Sequence, residues 1–127
     1  KCLKQFRVDK MKNVKILDEM RSGKDEFKEF DLAKYTKMSF GMFGGDEAKV
    51  KIAFKDEIVG VFIDRFGRDI TIRPSKKKGW SETSVEVTLS DQFFGWIFGL
   101  GTGVKILTPK KAVKRYKEEL DNMSKMY

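Results

Sequence analysis

The chain has 127 residues, with 27 Lys and Arg, 19 Asp and Glu, no histidine and a formal net charge of +8. This length accommodates one domain, or one small domain with part of another. The lack of histidine excludes His-based triads and imidazole acid–base chemistry. The lone Cys2 excludes an internal disulfide and a cysteine-cluster metal site. We expect no catalytic centre, no cofactor and no metal ion.

The excess of cations favours an anionic partner such as nucleic acid or a nucleotide, although solvated lysines also serve solubility alone. Every apolar run is shorter than the roughly 18 residues that span a bilayer, so we expect no membrane partner. The single cysteine fits a reducing cytoplasm, which is the predicted compartment. Because the first residue is Lys1 and not methionine, we expect a piece of a longer protein.

The first 45 residues carry several short patterns. Alternating apolar residues predict two short strands within residues 3–17. Two strands cannot bury an apolar face alone, so we interpret them as the end of a domain that begins upstream. Polar residues 18–29 favour a loop or linker. Asp31 is a typical N-cap for a helix that begins at Leu32, and the glycine-rich residues 41–45 end this helix.

From Ala48 onward, strand and helix patterns alternate regularly. The spacing of apolar residues predicts four strands, near residues 50–54, 70–74, 85–89 and 104–107. It also predicts three helices. The first begins at Asp56, the second follows Ser90 as its N-cap, and the third has Thr108 as N-cap and Pro109 as first helical residue. The order β-α-β-β-α-β predicts an α+β, ferredoxin-like domain with a C-terminal helix. Its four-stranded antiparallel sheet carries two helices on one face.

Several motifs, in sequence order, resemble those of one family. The run K-Q-F-R-V-D-K-M (Lys4 to Met11), followed by N-V-K-I-L-D-E, resembles the end of a WYL domain. F-D-L-A-K-Y resembles the linker helix of the same proteins, and Trp96 with G-T-G-V-K-I-L-T-P (Gly101 to Pro109) resembles the WYL C-terminal extension. The resemblance implies the last strands of an Sm/SH3-like WYL barrel at 1–17, a linker and helix at 18–45, and a ferredoxin-like extension at 46–127.

Membership of this family implies a bacterial transcriptional regulator, in which an N-terminal winged helix-turn-helix binds operator DNA and the WYL domain senses nucleic-acid or nucleotide-type ligands. The helix-turn-helix and the Trp-Tyr-Leu tripeptide are absent from this sequence. Lys4 and Lys10 stand where the family has arginine, so bidentate guanidinium contacts to phosphate are lost there. We predict the effector-sensing and oligomerisation region of a homodimeric regulator. The alternative is a free-standing, basic ferredoxin-like structural or interaction domain.

Two groups of cations are candidate ligand sites. Lys4, Arg7 and Lys10 lie close together in the sequence, where charge-assisted hydrogen bonds would hold phosphates; alternatively, Arg7 and Asp9 pair with neighbours. Period-two alternation defines the second group, because residues opposite the apolar positions share the open face of the sheet. We predict that both groups act on one phosphate-rich ligand, unless that face is simply solvated or is covered by the C-terminal helix. The open-face residues are Lys49, Lys51, Thr71, Arg73, Ser84, Glu86, Thr88 and Lys105.

Aromatic residues are absent from these open-face positions, so we do not expect base stacking of the kind used by RNA-recognition motifs. The aromatic residues instead crowd one helix and are predicted to pack in the core, with a partner groove as the alternative. A seam on the last helix is predicted to dock on the domain or on a second copy. The crowded helix carries Phe93, Phe94, Trp96 and Phe98, and the seam comprises Val113, Tyr116, Leu120, Met123 and Tyr127.

Overall fold

A computed structural model describes residues 6–28, 31–38, 40 and 45–127. The chain forms two compact units, Lys1–Leu32 and Ala33–Tyr127. The first unit contains a 3-10 turn at Val8–Lys10 and the short helix α1 (Lys24–Lys28). Helix α2 (Leu32–Met38) is followed in the second unit by β1 (Asp46–Lys55), α3 (Val59–Phe66), β2 (Ile72–Pro74), β3 (Trp80–Leu89), α4 (Asp91–Gly99), β4 (Val104–Thr108) and α5 (Lys110–Ser124).

The four strands form one antiparallel sheet with the order β2-β3-β1-β4. Strand β1 is central and pairs with β3 along its whole length, from Asp46 opposite Leu89 to Lys55 opposite Trp80. Helix α3 connects β1 to β2, which lie on either side of β3, and helix α4 connects β3 to β4, which lie on either side of β1. This is the split βαβ arrangement. The predicted ferredoxin-like α+β fold is confirmed.

An aromatic core fills the space between the sheet and the helices. The ring of Phe54 on β1 stacks on that of Phe62 on α3, with the ring centroids 3.9 Å apart. Trp96 on α4 contacts Phe62 edge-on at 5.4 Å. Phe40, which precedes the sheet, is buried, and its ring centroid lies 5.3 Å from that of Phe93. The core prediction holds for Phe93 and its buried neighbours, and these contacts hold α3 and α4 on one face of the sheet.

Local signals determine the ends of the helices. The Oγ atom of Ser90 accepts a hydrogen bond from the Phe93 backbone N–H at 3.3 Å, so the predicted N-cap of α4 is confirmed. Gly67 ends α3 with a φ of 92°, a conformation that glycine adopts without a steric penalty. Helix α5 begins one position later than predicted, because Pro109 is its N-cap and Thr108 remains in β4 opposite Lys51.

The strands predicted within residues 3–17 do not form in the described part of that segment. Residues 6–17 contain only the 3-10 turn, and the side chain of Ile16 is fully exposed. No strand of the four-stranded sheet comes from this segment. A lone pair of strands has no third strand or helix against which to bury its apolar face. The polar residues 18–29, predicted as a loop, contain α1, in which Lys28 Nζ lies 2.9 Å from Asp25 Oδ1.

Candidate nucleic-acid or nucleotide interface

The face of the sheet opposite α3 and α4 is uncovered in the described part of the second unit. Helix α5 does not cover it, because Ala112 belongs to the core cluster and the ring of Tyr116 stacks on Phe94 of α4 at 5.7 Å. This finding overturns the alternative in which the C-terminal helix covers the sheet. We call this surface the open sheet face; the strand registers give its members as Lys49, Lys51, Ala53, Lys55, Arg73, Trp80, Glu82, Ser84, Glu86 and Lys105.

A groove of about 410 Å³, which we call the sheet groove, lies on this face across β1, β3 and the edge strand β2. Three predicted site residues, Lys49, Lys51 and Arg73, line it. They converge because the register places Lys51 opposite Ser84, and Arg73 opposite Glu82 on the other edge of β3. The remaining lining residues are Thr71, Pro74, Glu82, Thr83 and Ser84.

Glu82 is a carboxylate in this groove that the sequence analysis missed. Its Oε2 atom lies 2.6 Å from Lys51 Nζ, and its Oε1 atom accepts a hydrogen bond from Ser75 Oγ at 2.7 Å. The hydrogen bond from Lys51, followed by that from Ser75, lowers the pKa of Glu82 below its ordinary value. Lys51 is therefore an ion-paired lysine. Among the described residues, no ion pair engages Lys49 or Arg73.

Trp80 brings an aromatic ring to one end of the open sheet face. It lies opposite Lys55, and Lys77 Nζ lies 4.0 Å from the centroid of its ring. The predicted open-face positions carry no aromatic residue, and Trp80 lies outside that predicted set, at the start of β3. The apolar spacing predicts the third strand near residues 85–89, whereas β3 already begins at Trp80. Continuing the alternation of Glu86 and Ser84 backwards along β3 would have identified both Glu82 and Trp80.

Three of the predicted open-face residues lie outside the sheet groove. Lys105 is exposed on β4, opposite Ala53, on the other side of the central strand. Thr88 is only 7% exposed, so it does not present a side chain to a ligand. The remaining predicted residue, Glu86, is exposed opposite Lys49.

In the first unit, Arg7 forms an internal ion pair. Its Nε and Nη2 atoms donate hydrogen bonds to Asp9 Oδ1 and Oδ2 at 2.9 and 2.6 Å. This contact lowers the pKa of Asp9 and raises that of Arg7. The structure thus realises the alternative in which Arg7 and Asp9 pair. Lys10 is exposed at the end of the 3-10 turn, and Lys4 lies outside the described residues.

Within residues 6–28, 31–38, 40 and 45–127, no three His, Cys, Asp or Glu side chains are grouped so that they could hold a metal ion. Nor does any helix in these ranges combine the length and apolar character that crossing a membrane requires.

Comparison with known families identifies the second unit. A family model, the WCX domain, matches residues 46–124, which are more than half of the chain and run from β1 to the end of α5. WCX domains are C-terminal domains associated with WYL domains. No curated protein sequence matches the chain. The match covers the sheet, its helices and the sheet groove, and the chain therefore belongs to the WCX domain family.

Proposed function

We propose that this chain is the ligand-sensing C-terminal region of a WYL-type bacterial transcriptional regulator, and that the open sheet face binds a phosphate-rich ligand of the nucleotide or single-stranded nucleic-acid type. In this proposal the chain is a cytoplasmic binding module with no catalytic role. Operator DNA is bound by a helix-turn-helix domain outside this sequence. A homodimer places two such domains on paired half-sites.

The observation that carries the proposal is the uneven pairing of charges in the sheet groove. Glu82 neutralises Lys51, whereas Lys49 and Arg73 are exposed and have no ion pair among the described residues. An arginine donates paired hydrogen bonds to a phosphate, and a lysine adds a point charge. Trp80 adds a ring surface at the end of the same face, where a base can stack without sequence preference.

Titration across salt concentration tests this assignment. Single-stranded oligonucleotide with a fluorescent label is added to the chain at several ionic strengths, and a mononucleotide is tested as competitor. We expect saturable binding, and the logarithm of the association constant should fall linearly with the logarithm of the salt concentration. Each phosphate contact contributes about 0.7 to the slope for a single strand. The double variant Lys49→Ala/Arg73→Ala should weaken binding at least tenfold and flatten the slope by about 1.4, the sum of two such contacts.

The matched control is Lys110→Ala/Lys117→Ala, which removes the same charge from exposed positions of α5. It should retain nearly the affinity of the parent chain. Equal losses in the two double variants would show that net charge alone attracts the oligonucleotide, and would refute a site on the open sheet face. Absence of saturable binding would instead favour a basic structural or interaction domain.

A further inference from the structure

We propose a second binding site, for a small organic cation with an aromatic or branched apolar body, in a groove between α4 and α5. This α4–α5 groove has a volume of about 270 Å³ and is formed by Phe94, Gly95, Phe98, Tyr116 and Met123, with Asp91 and Glu119 also lining it. It is built from the helices, whereas the open sheet face is on the other side of the sheet. It is therefore independent of the proposed nucleotide site.

Apolar side chains give the groove its affinity for an apolar body. The rings of Phe94 and Tyr116 are stacked at 5.7 Å and 16°. Phe98 and Met123 are 57% and 43% exposed, although both are large apolar side chains. A ligand that covers them removes apolar surface from water, which is favourable in proportion to the area buried.

The charge around the groove selects a cation. The guanidinium carbon of Arg115 lies 5.0 Å from the Phe94 ring centroid, so this aromatic pair already contacts one cation. Arg115 also pairs with Asp91. Glu119 is exposed and has no ion pair among the described residues. The Glu119 carboxylate, beside exposed aromatic and methionine side chains, attracts an apolar cation and repels an anion of the same shape.

Gly95 keeps the groove open. A Cβ atom added to it would meet no heavy atom within 4 Å, and the same is true of Gly60 on α3. Both glycines lie within helices, and Gly95 alone lines the groove. Substitution of either residue by leucine therefore gives a matched pair, since each variant adds the same side chain to a helix but only one of them fills the site.

The test is a titration of the whole chain with benzyltriethylammonium, in which amide ¹H–¹⁵N NMR shifts report binding. A second titration uses 4-phenylbutyrate, an anion that also carries a phenyl ring, as the comparison ligand. We expect saturable shifts at residues of the α4–α5 groove and at least tenfold weaker binding of the anion. Gly95→Leu should weaken binding at least tenfold, whereas Gly60→Leu should leave it unchanged. Glu119→Gln should weaken binding about 1.4- to fivefold, the usual range for an exposed charge pair.

Glu118→Gln is the charge-matched control, because Glu118 is the neighbouring acid, forms an ion pair with Lys114 and does not line the groove. It should not alter the affinity. Three results would each overturn the proposal. The cation and the anion could bind equally well, the Gly95→Leu variant could bind the cation as tightly as the parent chain, or the shifts could be confined to other surfaces. None of these results bears on oligonucleotide binding, which the variants on the open sheet face test separately.

Discussion

The segment at residues 6–17 and strand β1 have similar sequence patterns but different structures. Both alternate apolar residues with lysines. In β1, Val50, Ile52 and Phe54 are completely buried, whereas Ile16 in the first segment is completely exposed. Strand β1 pairs with β3 on one side and β4 on the other, and helices cover its apolar face. Alternation thus marks a segment that is able to form a strand, and partners decide whether it does.

The largest effect we expect comes from two matched phenylalanine substitutions, one on α3 in the core that covers β1 and one in the segment at residues 6–17. Phe62→Ala removes a fully buried ring that contacts Phe54, Phe66 and Trp96. It should lower the free energy of unfolding by about 3–5 kcal/mol, because it loses apolar burial and leaves a cavity. Phe6→Ala, at a side chain 71% exposed, should change it by less than about 0.5 kcal/mol. Urea denaturation measures both. A comparable loss in Phe6→Ala would show that the segment at residues 6–17 is buried in solution. That result would contradict the difference in burial between this segment and β1.

A smaller effect is expected at Gly45, immediately before β1. A Cβ atom on Gly45 would clash with the carbonyl oxygen of Leu89, a backbone atom that must then move. Gly45→Ala should cost about 1–3 kcal/mol of stability by overpacking, although sequence alone indicates only a helix-ending glycine there. Gly60→Ala, where the new Cβ meets open space within a helix, should stabilise by about 0.5–1 kcal/mol. The sign of the change in denaturation midpoint distinguishes them, and equal signs would contradict the close approach at Gly45.

The smallest effect concerns the Glu82 contacts on the open sheet face. Because the folded-state pKa of Glu82 lies below its ordinary value of 4.5, ionised Glu82 stabilises the fold above that value, and this contribution is lost as pH falls through the folded-state pKa. Glu82→Gln should therefore lower the melting temperature at pH 7, and the difference from the parent chain should shrink as the pH falls below that ordinary value. A difference that stays constant as the pH falls would mean that the Lys51 and Ser75 contacts contribute no pH-dependent stability.

Much of the candidate site could be predicted from period-two alternation. Lys49, Lys51 and Arg73 were identified in this way, and all three line the sheet groove. Glu82 and Trp80 were missed because the apolar spacing predicts the third strand only near residues 85–89, and lysines and a glycine obscure the true start of β3. The ion pair of Lys51 was not predictable, since it joins residues of different strands whose register follows from tertiary packing.

The sequence by itself determined the order of the elements in residues 46–127, the apolar side of each strand, and the helix ends at Gly67 and Ser90. These features depend on spacing of a few residues and on local backbone geometry. Only the tertiary structure decided that residues 6–17 form no strand, that Glu82 neutralises Lys51, and that α5 packs beside α4 and leaves the open sheet face uncovered. Each of these depends on which distant segments meet, and local periodicity does not encode that choice.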